Sequence, residues 1–257
     1  MGEIIRLSKA RRALVAMLRY AQKIPTIPVA RRINVGALAQ ARRQQASPPS
    51  WSAIFIRAYG IVCSRYPHLR RAWLSWPYPR LYEHPHCVCG IAVERDWEGE
   101  KVVLKGLIRK PEDTTLEQLG EILHRLQKAD VWSISSFRSS LRFGAVPRWL
   151  QGWMMWHKLD VNGKKRVKYI GTFGFSNYGM LGAESLHPVG PTTTAMTLSP
   201  ITPDGDVTVK LVYDHRVLDG SYIARSLAHL EEVLHQTLLP ELQGQAGGAA
   251  GNSPQAA

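Results

Sequence analysis

Cysteine is scarce in this chain: Cys63, Cys87 and Cys89 are the only three among 257 residues. Three unevenly spaced thiols cannot supply a disulfide framework, so an apolar core must hold the fold. Long apolar runs are missing too. No stretch of 18 uncharged apolar residues occurs, which excludes a membrane-spanning helix of the usual kind. The opening MGEIIRLSKARR carries charges where a signal peptide needs an apolar stretch, so a cytoplasmic location is expected rather than export.

Acidic residues are few as well. Asp and Glu number 20 against 33 Lys and Arg, for a net charge of +13, and through Arg43 ten basic residues face one acid, Glu3. Such a surface attracts a polyanion, whether an acidic protein or carrier, an anionic membrane, nucleic acid or the phosphates of a nucleotide cofactor. Charge alone does not choose among them. The chain has no zinc finger, no strand of paired stacking aromatics and no helix-turn-helix pattern, so nucleic-acid binding is not the expected function. No Pro/Gly/Ser-rich linker divides the middle, and residues 1–243 read as one domain. The tail 244–257, GQAGGAAGNSPQAA, has too little apolar surface to fold and is expected to be disordered.

What is present is a series of helices and strands. Leu7 to Gln22 reads as an amphipathic helix with Ser8 as N-cap, broken by KIPTIP. Val29 to Val35 follows as a strand. SWSAIFIRAYGIVCSRYP is a helical run, nearly all apolar, and so buried on more than one side. VCGIAVERD and KVVLKGLIRK read as strands about a WEGE turn. Thr114 to Gln127 is a helix with Thr114 and Glu117 spaced as a capping box and a leucine-rich stripe. Lys168 to Gly174, Thr193 to Leu198 and Val207 to Tyr213 complete the strands, and Tyr222 to Leu239 is a helix ended by Pro240. Strands interleaved with helices imply a mixed α/β layer fold.

The densest chemistry lies in DHRVLDG, Asp214 to Gly220, between the last strand and the last helix. A histidine at a strand exit can be held partly dry yet reach a substrate, and imidazole is the side chain best suited to accept a proton near neutrality. Asp219 suits a helix cap or an arginine partner, and Gly220 permits a turn that a side chain would obstruct. The same residues also suit an ordinary turn with a surface histidine.

DHRVLDG after an apolar strand resembles the active-site motif of the catalytic domain of dihydrolipoamide acyltransferases, the core component of 2-oxoacid dehydrogenase complexes and relatives of chloramphenicol acetyltransferase. LSKARRALVAMLRYAQKIPTIP resembles that family's opening arginine-rich helix, and GTFGFSNYGMLG its serine-bearing strand and turn. The resemblance implies a chloramphenicol acetyltransferase-like α/β sandwich, a central mixed sheet flanked by helices, assembled as a trimer, with larger shells of trimers in the complexes. It implies that His215 is a general base taking the proton of a thiol, that Ser176 donates to the oxyanion of a tetrahedral intermediate, and that no acyl-enzyme forms. It also implies that Asp219 pairs with Arg11 or Arg12 of the opening helix, and that the histidine of one subunit faces the serine of its neighbour. Asn177 and Gly220, adjoining these residues, are the expected cofactor contacts, with coenzyme A or acyl-CoA as substrate.

Three departures bear on substrate. The chain shows no lipoyl domain and no subunit-binding domain, so no lipoyl group is expected on it and coenzyme A is the better acceptor. The pass from Asp96 to Lys110 is DWEGEKVVLKGLIRK where the family has a glycine-leucine-rich segment. The connection at about 131–168 is a tryptophan-rich insertion in which Trp149, Trp153 and Trp156 share one helical face and Pro147 suits the first turn. Such a face suits packing, an acyl chain, a partner or peripheral contact with a membrane. No metal is expected: HPHCVC offers His84, His86, Cys87 and Cys89 without a second ligand pair at zinc spacing. Two readings follow, a CoA-dependent acyltransferase and, alternatively, a catalytically inactive trimer of that fold serving as a scaffold or binding module.

Overall fold

The computed structural model describes residues 2–244. The expected tail therefore lies, beyond Gly244, outside the described residues. In chain order the principal elements are α1 (Lys9–Ala21), β1 (Thr26–Asn34), α2 (Gly36–Arg43), α3 (Trp51–Arg65), β2 (Arg71–Leu74), β3 (Arg80–Glu83), β4 (Val88–Trp97), β5 (Glu100–Arg109), α4 (Leu116–Lys128), α5 (Ser135–Ala145), α6 (Arg148–Trp156), α7 (Gly163–Ile170), β6 (Phe173–Asn177), β7 (Thr194–Leu198), β8 (Asp206–Asp214) and α8 (Gly220–Val233).

Six strands form one mixed sheet in the order β1-β8-β7-β6-β4-β5; β6 runs parallel to β4 and β7, and the remaining pairs are antiparallel. β2 and β3 make a separate hairpin. β1 is an edge strand with only Ile33 buried, which explains why Pro28 is tolerated in it. β4 and β5 are joined by Glu98 and Gly99, both at positive φ, a two-residue hairpin turn where WEGE predicts one.

The apolar run of α3 is buried on nearly every side, with Ala53 to Ile56, Ala58, Tyr59, Val62 and Cys63 at 0% exposure. It packs with α4 and α8 over the sheet to form the main core. Tyr59 anchors it by donating to Thr194 Oγ1 at 2.9 Å and meeting Phe173 edge-on at 4.9 Å. A second, smaller core lies beside α1, where Ala13, Phe143, Met155, Leu159 and Ile170 meet. Apart from Ala13, it belongs to residues 143–170, which overlap the tryptophan-rich segment at about 131–168.

Ser8 caps α1, accepting from Arg11 N at 3.1 Å, and Ser50 caps α3 in the same way from Ala53 N. The capping box of α4 lies one residue later than its spacing suggests: Thr115 and Gln118 make the reciprocal pair, not Thr114 and Glu117. The reason is the 3-10 turn at Pro111–Asp113, which ties Thr114 Oγ1 to the Lys110 carbonyl. Lys168 to Ile170 is not strand but the last turn of α7. Asn162 caps that helix, Arg166, Val167 and Ile170 supply its buried stripe, and Gly171 at φ +86° ends it. Nor does Pro240 end the last helix. A π-turn at Leu234–Leu238 passes into a further turn, Leu239–Leu242, with the proline in its first turn, where no amide hydrogen is needed.

Candidate active site

β8 delivers the DHR turn to the end of the sheet, and Asp214 locks it there. Its buried carboxylate accepts from Arg216 Nε at 2.9 Å, Arg216 Nη2 at 2.7 Å and the Arg216 amide at 3.0 Å. The guanidinium also lies 5.5 Å from the Trp73 ring. Burying the carboxylate is supported by this bidentate geometry. His215 is pinned through its backbone, its amide donating to the Pro25 carbonyl at 2.9 Å.

The ring of His215 is set by two contacts. It meets Tyr213 edge-on at 5.4 Å, and its Nδ1 stands 3.0 Å from the Leu218 carbonyl oxygen. Only a protonated Nδ1 can bond a carbonyl, so this contact selects the tautomer whose Nε2 carries a free lone pair. The side chain is 42% exposed, so Nε2 is reachable. Gly220 opens α8 directly behind it; a Cβ there would meet Tyr213 Oη at 3.2 Å. Burial, then Asp219, pushes the Tyr213 phenol up.

Ser176 sits half-buried at the end of β6, and Asn177 follows it. The Asn177 Oδ1 accepts from Gly179 N at 2.8 Å, which folds the chain sharply away and leaves its amide nitrogen for another partner. Beside them opens a cleft of about 420 Å³ reaching Ser52, Ile91, Phe175 and Asn177.

His215 and Ser176 of one chain do not meet. Ser176 pairs with Thr197, which pairs with Lys210, whereas His215 lies five residues beyond Lys210 and two strands away. At a strand rise of about 3.3 Å this is roughly 16 Å along the sheet.

The expected pairing of Asp219 with Arg11 or Arg12 is corrected within the chain. Arg11 reaches Glu100 at 3.1 Å instead, and the Asp219 side chain is 85% exposed, with His215 Nδ1 at 3.7 Å. α1 begins against α5 and the β5 edge of the sheet, four strands from β8, where Arg11 lies, and only its C-terminal end, with Arg19, comes near Arg216. Asp219 does occupy the N-cap position of α8, but through its backbone, without a side-chain cap. The residues that do hold the turn, Asp214 and Arg216, have a sequence signal in being two apart at a strand exit, but nothing in the sequence distinguishes a locking pair from ordinary turn residues.

Next to Arg216 lies a cleft of about 570 Å³, with Arg19, Lys23 and Arg148 around it and Trp156 on its wall. Asp160 inside it accepts from Ser75 Oγ at 2.9 Å. Burial raises the Tyr20 phenol there to about 12. The three tryptophans share one face of α6, as their spacing predicts, and that face is outward: Trp149 is 77% exposed and Trp153 57%, while Gln151 and Met155 face inward. In HPHCVC the His84 ring engages the His86 backbone, and Cys87 and Cys89 are fully buried thiols. His187 Nε2 lies 2.8 Å from Thr26 Oγ1.

No family model matches the sequence, and no curated protein matches it. Solved structures do match. A dihydrolipoamide acetyltransferase of Azotobacter vinelandii is 16% identical with TM-score 0.68, each chain covered to 94%. In that protein the roles of a serine, a histidine and an asparagine four residues after the histidine in the catalytic mechanism have been investigated. A probable dihydrolipoamide acetyltransferase from Listeria monocytogenes is 17% identical with TM-score 0.63, covering 91% of this chain and 95% of that one. A truncated catalytic core of a 2-oxoacid dehydrogenase complex from Thermoplasma acidophilum gives 16% and 0.62, over 91% and 98%. The chain therefore has the fold of the 2-oxoacid dehydrogenase acyltransferase superfamily, an α/β sandwich with a central mixed sheet flanked by helices. Among the described residues no helix is long and apolar enough to cross a membrane, and no cluster of three or more His, Cys, Asp or Glu is placed to hold a metal.

Proposed function

We propose that the protein is a CoA-dependent acyltransferase of the dihydrolipoamide acyltransferase type, working as a homotrimer whose active sites form between subunits. The observation that carries this reading is the His215 tautomer: on an acyltransferase fold, a rigid turn presents an unprotonated, accessible Nε2. Nε2 takes the proton of a thiol, and the sulfur attacks the thioester carbonyl. Ser176 of the neighbouring copy donates to the oxyanion. Collapse breaks the original C–S bond, and the departing thiolate recovers the proton from His215. A thiol pKa near 8.5 leaves only a modest proton-transfer deficit for imidazole.

The separation of His215 from Ser176 within one chain supports the intersubunit arrangement, because a second copy is needed to supply the missing partner. The basic cleft beside Arg216 suits the phosphates of coenzyme A, with Arg19, Lys23 and Arg148 as contacts. Asn177 keeps its amide nitrogen for the substrate chain. Asp219, with no arginine partner among the described residues of one chain, can hold the Nδ1 side of the imidazolium as it forms.

The unpaired state of Asp219 is also what favours the second reading, an inactive trimeric scaffold. Turnover decides between them. With acetyl-CoA as donor and a small dithiol as acceptor, followed by release of free CoA thiol, the wild type is expected to turn over. His215→Ala is expected to lose about 10²- to 10⁴-fold while keeping its oligomeric state. An intact oligomer with no turnover and no binding of coenzyme A would leave the scaffold.

A further inference from the structure

On the opposite flank from the DHR turn, the inserted region closes a cleft of about 680 Å³ against β5 and α4. Five cations from four separate stretches of chain line it: Arg109 of β5, Arg125 of α4, Lys158, and Lys165 and Lys168 of α7. No carboxylate lines it. None of the five takes part in an ion pair among the described residues, although Lys and Arg form ion pairs at nine places elsewhere in them. Like charges gathered round a concavity repel one another unless an anion fills it.

Lys158 is the most constrained of them. Its ammonium stands 4.4 Å from the Tyr169 ring centroid and 5.6 Å from that of Phe143, so aromatic faces, not an acid, hold it at the cleft wall. Burial first, and then Lys165, pulls its pKa below the usual ammonium range.

The cleft also offers hydroxyls and amides. Ser135, Ser136 and Ser139 reach it from α5, whose N-cap position is Ile134 with no side-chain acceptor, so the first amides of an 11-residue helix are left for another partner. Between these polar groups the lining is apolar, from Leu107, Ile122 and Leu126. An inorganic ion would leave that surface uncovered, whereas an organic phosphate would use both parts.

We infer that this cleft is a binding site for a small soluble organic phosphate, its anionic groups met by Lys158, Lys165, Lys168 and the N-terminus of α5 and its body lying on the apolar floor. The site lies beside β5, four strands from β8, shares no lining residue with the cleft beside Arg216, and stands or falls independently of acyl transfer. A ligand there would tie the inserted region to β5 and α4, joining the small core to the large one.

The test is isothermal titration of the full chain with ATP as the probe, at physiological ionic strength. Wild type is expected to bind saturably at one site per chain. Lys165→Gln with Lys168→Gln, both exposed positions, is expected to weaken binding at least about tenfold, as loss of charge-assisted bonds implies, with the melting temperature of the free protein unchanged. Lys101→Gln, on open surface, is expected to leave it unaltered. Absence of saturable binding, or equal weakening by all these variants, would overturn the inference, because the net charge alone would then account for any attraction. Cosedimentation with phosphatidic acid vesicles under conditions where ATP neither binds nor competes would overturn it in favour of a membrane surface. His215→Ala leaves the result unchanged, so failure of this site and failure of the acyltransferase reading are told apart.

Discussion

The molecule holds two cores of different kind. Beneath the sheet, α3, α4 and α8 bury dozens of aliphatic and aromatic side chains at almost no exposure, and few polar groups take part. In the lobe of residues 135–170, four apolar residues and Ala13 of α1 make the core, and polar anchors supplement it. Chief among these is Arg166, 1% exposed, donating to the Leu159 carbonyl at 2.8 Å, the Pro191 carbonyl at 2.6 Å and Tyr20 Oη at 3.3 Å. The large core is held by area removed from water, which tolerates small losses. The small one depends on a few satisfied polar groups and close backbone contacts, where a single loss is felt throughout.

The largest effect should come from the sheet core. Phe173→Ala, at 0% exposure beneath Tyr59, is expected to cost about 3 to 5 kcal/mol, read as a lower midpoint in urea for the whole cooperative transition. In the lobe, Gly144→Ala would place a methyl 1.8 Å from the Lys9 carbonyl oxygen, where α5 crosses α1. Its cost is about 1 to 3 kcal/mol or more. Amide exchange should quicken over residues 135–170 while β6 to β8 stay protected, and uniform loss of protection would show that the two cores are one cooperative unit. Arg166→Met leaves three acceptors without their donor and is expected to cost about 1 to 3 kcal/mol, again confined to the lobe.

A smaller effect distinguishes the two by pH. Lys105, on the β5 face toward the lobe, donates to the Ile170 carbonyl at 3.4 Å, and burial lowers its pKa to about 8 from 10.5. A lysine depressed in the folded state destabilises it while protonated. The penalty is full below pH 8 and is relieved as pH rises toward 10.5, since there the unfolded chain binds more protons. Lys105→Met should therefore be more stable than wild type at pH 7, with the difference shrinking between pH 8 and 10.5 in paired denaturation curves. The least effect is expected from Thr115→Ala, about 1 kcal/mol for the cap of α4.

What the sequence makes legible follows the same division. The apolar run of α3, the WEGE hairpin, the Ser8 cap and the strand before Asp214 are decided by neighbours in the chain, and they stand where the sequence puts them. The frame of the α4 cap is misplaced by one residue because Thr114 is drawn to Lys110 by a turn that a threonine count cannot reveal. Lys168 to Ile170 reads as strand beside β6, yet a cap six residues earlier and the burial of Arg166 make it helix. The partner of Arg11 is 89 residues away, and α2, α5 and the β2–β3 hairpin have weak local signals because distant packing decides them. At the candidate site His215 and Ser176 are proposed from sequence, whereas the Leu218 carbonyl that selects the tautomer and the Asp214–Arg216 lock are visible only in three dimensions.

The claim that the site is built between copies has a direct test in complementation. His215→Ala and Ser176→Ala chains, each weakly active alone, are unfolded together, refolded as mixed oligomers and assayed for acyl transfer. If one copy's His215 works with the next copy's Ser176, some sites in the mixture contain neither substitution, and activity should rise to about a quarter of wild type. Mixed oligomers that form yet show no more activity than the two parents would contradict the account.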